Sequence, residues 1–244
     1  MKPLAQHFAN TTDRPLYALD WLGFGRSDRR AVEYSPALYR HQLFQLLTEV
    51  IDAPTDLVAL SLGCEYAAQA GLQAAPHVRR LALIAPTGLS SARGPSLFGR
   101  LGLALAGRTG AFELLFYRLT RPASLRDYYT RQVFINASAV PQDLIDYAYT
   151  TAHAQGAHHA PRRFVDGSLF LDDVADSIYA RLYRPTLYLT PERPGPTIQQ
   201  FDLLPRVLGR TSSDSSHTTL PGGLMPHWEA PEACVDALDS FLAA

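Results

Sequence analysis

The stretch that organises this sequence is Leu57-Val58-Ala59-Leu60-Ser61-Leu62-Gly63-Cys64-Glu65, in which a serine follows an apolar run and precedes small residues. The apolar run predicts a buried strand over Asp56–Leu60, and the alanines and glycines of Leu62–Ala75 predict a helix that packs closely on a sheet. The residues two before and two after the serine are small, as a sharp strand-to-helix turn around a nucleophile requires. Ser61 is therefore a candidate nucleophile. The alternative is a buried serine at an ordinary strand-to-helix turn.

The composition of the chain limits the classes of protein to which it can belong. The chain has 244 residues, 47% of them hydrophobic and 18% charged, which is enough to bury a full core. Lysine and arginine total 22 against 23 acidic residues, so the chain has no net positive charge that would attract nucleic acid or an acidic membrane. A small-molecule substrate is more consistent with this balance. Cys64 and Cys234 lie in apolar helical patterns, which indicates core positions and a reducing compartment. Without a signal peptide or an apolar run of membrane-spanning length, we expect a soluble cytoplasmic protein.

Strand and helix patterns alternate along much of the chain. Ser35 followed by Pro36 is typical of a helix start, and the helix is expected to end before Pro54. A final amphipathic helix begins at Pro231. Short links between strand and helix predict an α/β fold with a mostly parallel sheet and helices on both faces. Besides Asp56–Leu60, the predicted strands are Pro15–Asp20, Arg80–Ala85, Thr186–Thr190 and, more weakly, His217–Leu220.

A long helical region interrupts this alternation. Strand patterns are absent from about Ser90 to Arg181, and helical patterns replace them. We therefore predict a core of residues 1–89 and 182–244 and an inserted helical cap of residues 90–181. The predicted cap helices are Leu97–Ala106, Ala111–Leu119, Ala123–Phe134, Pro141–Ala154 and Leu171–Leu182.

Neither a metal ion nor a cofactor is indicated. His153, His158 and His159 lie close together, but no carboxylate or cysteine stands beside them at ligand spacing, so a solvated helix end and loop are expected. The turn Gly23-Phe24-Gly25 lacks the third glycine and the helix of a dinucleotide fingerprint, and a tight turn is the simpler interpretation.

Five segments follow one another in a characteristic order: Tyr17–Asp28, Ala59–Gly63 at the candidate nucleophile, Leu83–Gly88, Arg184–Leu189 and Met225–Glu232. Together they resemble the α/β-hydrolase superfamily. The resemblance implies a serine hydrolase, carboxylesterase-like, acting on a small apolar ester or related acyl compound. Ser61 would attack, and the Leu62 N–H would stabilise the oxyanion.

The amino-terminal region departs from that superfamily. Its members usually have further strands and a His-Gly loop that supplies an oxyanion donor, whereas only Met1–Arg14 precede the Pro15–Asp20 segment. The missing strand would lie between Pro15–Asp20 and Asp56–Leu60. Either these two pair directly, or the chain is a shortened version of a longer protein, which the helix-like opening Met1–Phe8 favours.

The acid and base positions are also irregular. Proline stands at 194 where the acid is usual, which leaves Glu192 and Asp202 as nearest substitutes. Leu224 takes the usual place of the base, so His227 becomes the leading candidate for the base and His217 the other. These departures keep a second hypothesis open, namely a catalytically inert ligand-binding or protein-binding module. The sequence gives no indication of the oligomeric state.

Overall fold

Four parallel strands form the sheet at the centre of the molecule. A computed structural model of the chain describes residues 1–91, 110–193 and 200–243. The strands follow one another in the sheet in chain order, and Leu60, Ile84, Leu189 and Thr218 lie side by side across it. The α/β prediction and four of the five predicted strands are thereby confirmed. The strands are β1 (Thr55–Leu60), β2 (Val78–Ile84), β3 (Thr186–Pro191) and β4 (Ser216–Leu220).

Apolar side chains of alternate residues cover both faces of the sheet. One face, with Leu81, Leu83 and Tyr188, packs into a cluster that includes Tyr39 and Tyr66. The opposite face, with Ala82, Ile84 and Leu189, packs into a second cluster that includes Leu4 and Leu238. Because both faces are covered, the inner strands consist of nearly continuous apolar residues.

The helices that cover the sheet begin where the sequence supplies start signals. At the predicted start, the Ser35 hydroxyl oxygen accepts a hydrogen bond from the Leu38 N–H at 3.3 Å, and Pro36 is the first helical residue. Cys64 and Cys234 are buried free thiols, as predicted. The core helices are α1 (Lys2–Thr11), α2 (Pro36–Gln45, continued by a π-helix over Leu46–Ile51) and α3 (Gly63–Gln73), and after β3 α9 (Leu204–Leu208), α10 (Pro226–Glu229) and α11 (Pro231–Ala243).

The described part of residues 90–181, called the cap region below after its predicted role, consists mainly of helices and turns. The prediction at Leu171–Leu182 is wrong in extent, because Asp173 adopts a left-handed φ of 50° and only short helical turns follow. The helix at His159–Val165 was missed, and the predicted helix Leu97–Ala106 lies outside the described residues. The cap helices are α4 (Ala111–Leu119), α5 (Pro122–Tyr128, continued by a π-helix over Tyr129–Val133), α6 (Gln142–Ala152), α7 (His159–Val165) and α8 (Val174–Ser177), with 3₁₀ turns at Ala75–His77, Ala137–Ala139 and Tyr179–Arg181.

The predicted strand over Pro15–Asp20 is wrong. These residues belong to no strand, and Leu16 and Tyr17 are each 49% exposed. A strand needs a neighbour for its backbone groups, and β1 is not hydrogen-bonded to this segment, so the direct pairing of the two is also wrong. The end of the segment is held instead by its turn, where the Asp20 carboxylate accepts the Arg26 N–H at 2.8 Å.

Across the described ranges, no helix combines the length and the apolar character needed to cross a membrane.

Candidate functional site

Ser61 occupies a strained turn between β1 and α3. Its φ is 53°, a left-handed conformation that non-glycine residues rarely adopt. The Ser61 N–H donates to the Ile84 carbonyl at 2.9 Å, and the Ser61 carbonyl accepts the Cys64 N–H at 3.0 Å. The strand ladder therefore continues to the serine, and the helix begins directly after it. This is the backbone arrangement that presents a side chain at the carboxyl edge of a sheet.

The first turn of α3 has the geometry for binding an anion beside Ser61. Leu62 adopts a helical conformation with a φ of −56°, and its N–H donates to no acceptor in the part of the chain that the structure describes. Helix N-termini also carry a partial positive charge. The Leu62 N–H is thus available to donate to a developing oxyanion. Among the described residues, a second donor to the same oxyanion is not identified.

An aromatic wall stands against the same turn. The indole Nε1 of Trp21 lies 3.4 Å from the point where a Cβ on Gly63 would be. The Trp21 ring makes edge-to-face contacts with Tyr39 and Tyr66, at centroid distances of 5.5 and 5.4 Å. Trp21 is therefore in van der Waals range of the elbow, with its indole nitrogen closest and the rest of its ring packed on other aromatic rings.

His227 is enclosed and faces the chain's amino terminus. Its side chain has no exposed surface, and Nε2 lies 3.2 Å from the Met1 amino nitrogen. Burial first, and the Met1 ammonium second, lower the pKa of His227 to about 3. The Nδ1 atom has no hydrogen-bond partner, and no hydrogen bond joins His227 to Ser61, among the residues that the structure describes.

The loop that carries His227 is fixed to the cap. Leu224, at the usual position of the base, packs into a third apolar cluster with Phe134 and Leu144, and its N–H donates to the Val133 carbonyl at 2.8 Å. The Glu229 carboxylate accepts N–H groups from Ile135, Asn136 and Gly223, at 3.2, 2.6 and 2.8 Å. These contacts account for the position of the loop.

His217 lies on β4, at the opposite edge of the described sheet from β1 and Ser61. It is level with Tyr188, Leu83 and Ala59 in the ladder, three strands from β1. Three strand spacings amount to about 14 Å, which is beyond hydrogen-bond reach. The His217 Nε2 atom lies 2.7 Å from the Thr190 hydroxyl oxygen.

Neither candidate acid contacts a candidate base. Glu192 is exposed, and its N–H donates to the Leu220 carbonyl at 2.8 Å. The Asp202 carboxylate accepts the Ser91 N–H, at 3.2 and 3.1 Å to its two oxygens. Hydrogen bonding by Ser91, through its side chain first and its backbone second, lowers the Asp202 pKa. Position 194 lies outside the described residues.

One buried carboxyl group near the elbow escaped the sequence reasoning. Glu65, one helical turn after Ser61, is only 1% exposed. It accepts the Thr87 hydroxyl at 2.5 Å and the Leu171 N–H at 2.8 Å. Burial raises the pKa of Glu65 to about 7, and the two hydrogen bonds oppose this rise. A lone acid among the small and apolar residues of the helix was the signal that could have found it.

The histidines of the cap do not form a metal site in the described structure. His158 and His159 stack at a centroid distance of 4.1 Å, and His158 Nδ1 lies 3.6 Å from a Glu113 carboxylate oxygen. Within residues 1–91, 110–193 and 200–243, no three histidine, cysteine or acidic side chains come together at a possible metal site.

Comparisons with known structures agree with this fold. An esterase from Thermogutta terrifontis shares 16% identity at a TM-score of 0.69, over 99% of this chain and 84% of that one. A serine hydrolase involved in carbazole degradation shares 19% sequence identity at a TM-score of 0.63, over 92% of this chain and 77% of that one. A hydrolase from Pseudomonas aeruginosa shares 19% sequence identity at a TM-score of 0.67, over 92% of this chain and 78% of that one. At these identities the likeness concerns the fold alone.

Sequence comparison supplies the family. No curated protein matches the chain significantly. The sequence profile of the alpha/beta hydrolase family, however, matches residues 1–237, which is nearly the full length. The chain therefore belongs to the alpha/beta hydrolase family.

Proposed function

We propose that this chain is a serine hydrolase with Ser61 as its nucleophile and a small, largely apolar ester or related acyl compound as its substrate. The observation that carries the proposal is the left-handed φ of 53° at Ser61. Backbone strain of this kind costs on the order of 1–3 kcal/mol and persists where the surrounding structure imposes it, often at functional sites. The Trp21 ring beside the elbow, held by the buried Tyr39 and Tyr66, favours an apolar acyl group.

In this proposal the Leu62 N–H binds the oxyanion and His227 accepts the Ser61 proton. The ladder separation of His217 from Ser61 supports the choice of His227. His227 acts only when its ring leaves its buried position and the Met1 amino group, since a histidine with a pKa of about 3 is a weak base at neutral pH. The loop and Met1 therefore rearrange before attack. The acid that would orient His227 is unassigned.

A second candidate function is a catalytically inert binding module. The enclosure of His227 and the packing of Leu224 into the cap cluster favour it. A serine without an activating base is a poor nucleophile at neutral pH. Such a protein would keep the apolar surroundings of the elbow as a ligand site.

A fluorophosphonate probe tests the proposal. We expect one label per chain, lost in Ser61→Ala and retained in Ser240→Ala, a matched change at an exposed serine of α11. His227→Gln should lower the labelling rate about 100-fold or more, whereas His217→Gln should leave it unchanged. A folded wild-type chain that takes no label contradicts the serine hydrolase and favours the binding module.

A further inference from the structure

Two side chains of α3 hold the segment that returns from the cap. The Leu171 N–H donates to Glu65 Oε2 at 2.8 Å, and the Tyr66 hydroxyl donates to the Leu169 carbonyl. Residues 169–171, the return segment, are thus attached at both ends to the helix that follows Ser61. The attachment is buried, because Glu65 is 1%, Tyr66 2% and Leu169 0% exposed.

The same carboxyl group also reaches the loop after β2. The Thr87 hydroxyl lies 2.5 Å from Glu65 Oε1, and the Thr87 carbonyl accepts the Tyr179 hydroxyl at 3.0 Å. Glu65 therefore joins three parts of the chain: the helix after the elbow, the loop after β2 and the return segment. The Glu65 N–H also donates to the Leu62 carbonyl at 3.1 Å, within the first turn of α3.

Two hydrogen bonds, from Thr87 and Leu171, are the compensation that the described residues offer a negative charge on Glu65, and they do not outweigh its burial. Its titratable neighbours are Cys64 and Tyr66 on α3 and Tyr179 from the 3₁₀ turn, and burial raises the pKa of all three, so they stay neutral near pH 7. No cationic side chain pairs with Glu65 among the described residues. An ionised carboxylate without a cation is costly in a buried site, whereas the protonated form can donate to Thr87 and accept from Leu171.

We propose that Glu65 is a proton-dependent clamp, which fastens the return segment of the cap to the helix behind Ser61 and weakens when its carboxyl group ionises. The clamp is independent of whether Ser61 is a working nucleophile. It concerns the attachment of the cap to the core.

The sign of the effect follows from the two protonation equilibria. Released to water, Glu65 titrates near its ordinary pKa of 4.5, and in the clamp it titrates near 7. The closed form therefore binds the proton more tightly, and opening becomes easier as the pH rises from 4.5 to 7. Well above 7 both forms are ionised, and opening no longer depends on pH. Between pH 5 and 7 the opening constant should rise about 40-fold, because the open form is partly protonated at pH 5 and half of the closed form is still protonated at pH 7.

Hydrogen exchange of the Leu171 amide measures this opening. Corrected for the intrinsic exchange rate, the wild-type opening constant should rise about 40-fold from pH 5 to 7 and level off just above pH 7. In Glu65→Gln the side-chain amide of the glutamine can donate to Thr87 and accept from the Leu171 N–H, and it does not titrate. We therefore expect the opening constant of this variant to be independent of pH. Equal pH profiles in wild type and Glu65→Gln overturn the proposal.

Two changes at Thr87 provide a second test that leaves Glu65 in place. Thr87→Ser keeps the hydroxyl and should keep the wild-type profile. Thr87→Val removes a bond that lowers the Glu65 pKa, so the rise in opening should continue beyond pH 7. A levelling point at the same pH in Thr87→Val and Thr87→Ser contradicts a clamp at this carboxyl group.

Discussion

Glu65 and His227 are both buried, and burial moves their pKa values in opposite directions. The Glu65 pKa is raised to about 7 and the His227 pKa is lowered to about 3. The Glu65 contribution to stability is present below pH 4.5 and is lost as the pH rises to 7. The His227 contribution is present above its ordinary pKa of 6.5 and is lost as the pH falls toward 3. The two dependences oppose each other between pH 4.5 and 6.5.

The free energies of unfolding of two variants should separate these effects. From pH 6.5 to pH 5, each group changes the stability by about 2 kcal/mol, with opposite sign. We expect Glu65→Gln to lose about this much on acidification and His227→Gln to gain it, while the wild type changes little. Urea unfolding at the two pH values measures all three. If both variants follow the wild type, the burial of these charges does not control stability in this range.

The contacts of Glu229 show how a single side chain links two elements. Glu229, the last residue of α10, receives N–H groups of Ile135 and Asn136 from the cap and of Gly223 from its own loop. Hydrogen bonds to a charged group stabilise more than neutral ones. The position of the histidine loop therefore depends on the cap.

Replacement of Glu229 should loosen this link. We expect Glu229→Ala to lower the free energy of unfolding by about 2 kcal/mol and Glu229→Gln, which keeps one acceptor oxygen, to lower it by less. Glu232→Ala, an exposed change in the first turn of α11, serves as the control and should cost under about 1 kcal/mol. Urea unfolding at pH 7 provides the values. A similar cost at positions 229 and 232 contradicts the link.

The elements predicted from the sequence are those whose cause is local. Apolar runs and start signals identified β1 to β4 and the start of α2, and small residues around Ser61 identified the strained turn. Pro15–Asp20 has an equally apolar pattern, but the strand predicted there is wrong. Strand formation depends on a neighbouring strand, which no local pattern reveals. The missed helix α7 contains Pro161 and two adjacent arginines, and lacks a clear apolar period.

The site shows the same division between local and distant causes. The conformation of Ser61 follows from the residues beside it. The contact of His227 with Met1 joins residues 226 positions apart, and the contact of Glu65 with Leu171 joins residues 106 apart. Burial and charge at such positions decide the pKa values, so the chemistry of the site depends on packing that spacing along the chain does not encode.

The described core is divided among three apolar clusters, two on the faces of the sheet and one between the cap and the histidine loop. The third cluster, which includes Val133, Phe134 and Ile145, is much smaller than the first. Local stability follows the number of buried apolar contacts, so small clusters open at lower denaturant concentrations. We therefore expect the cap cluster to lose its structure before the sheet.

The two tryptophans of the chain allow this order of unfolding to be measured, because Trp21 packs against the first cluster and Trp228 against the third. In Trp21→Phe the fluorescence reports Trp228 and should change at a lower urea concentration than the circular dichroism at 222 nm. In Trp228→Phe it reports Trp21 and should coincide with the circular dichroism, since the helices and strands of the core unfold together. Comparing fluorescence with circular dichroism inside each variant removes any effect of the substitution on overall stability. Coincident transitions in both variants would mean that cap and sheet unfold as one unit, and the histidine loop would then be as stable as the core beneath Ser61.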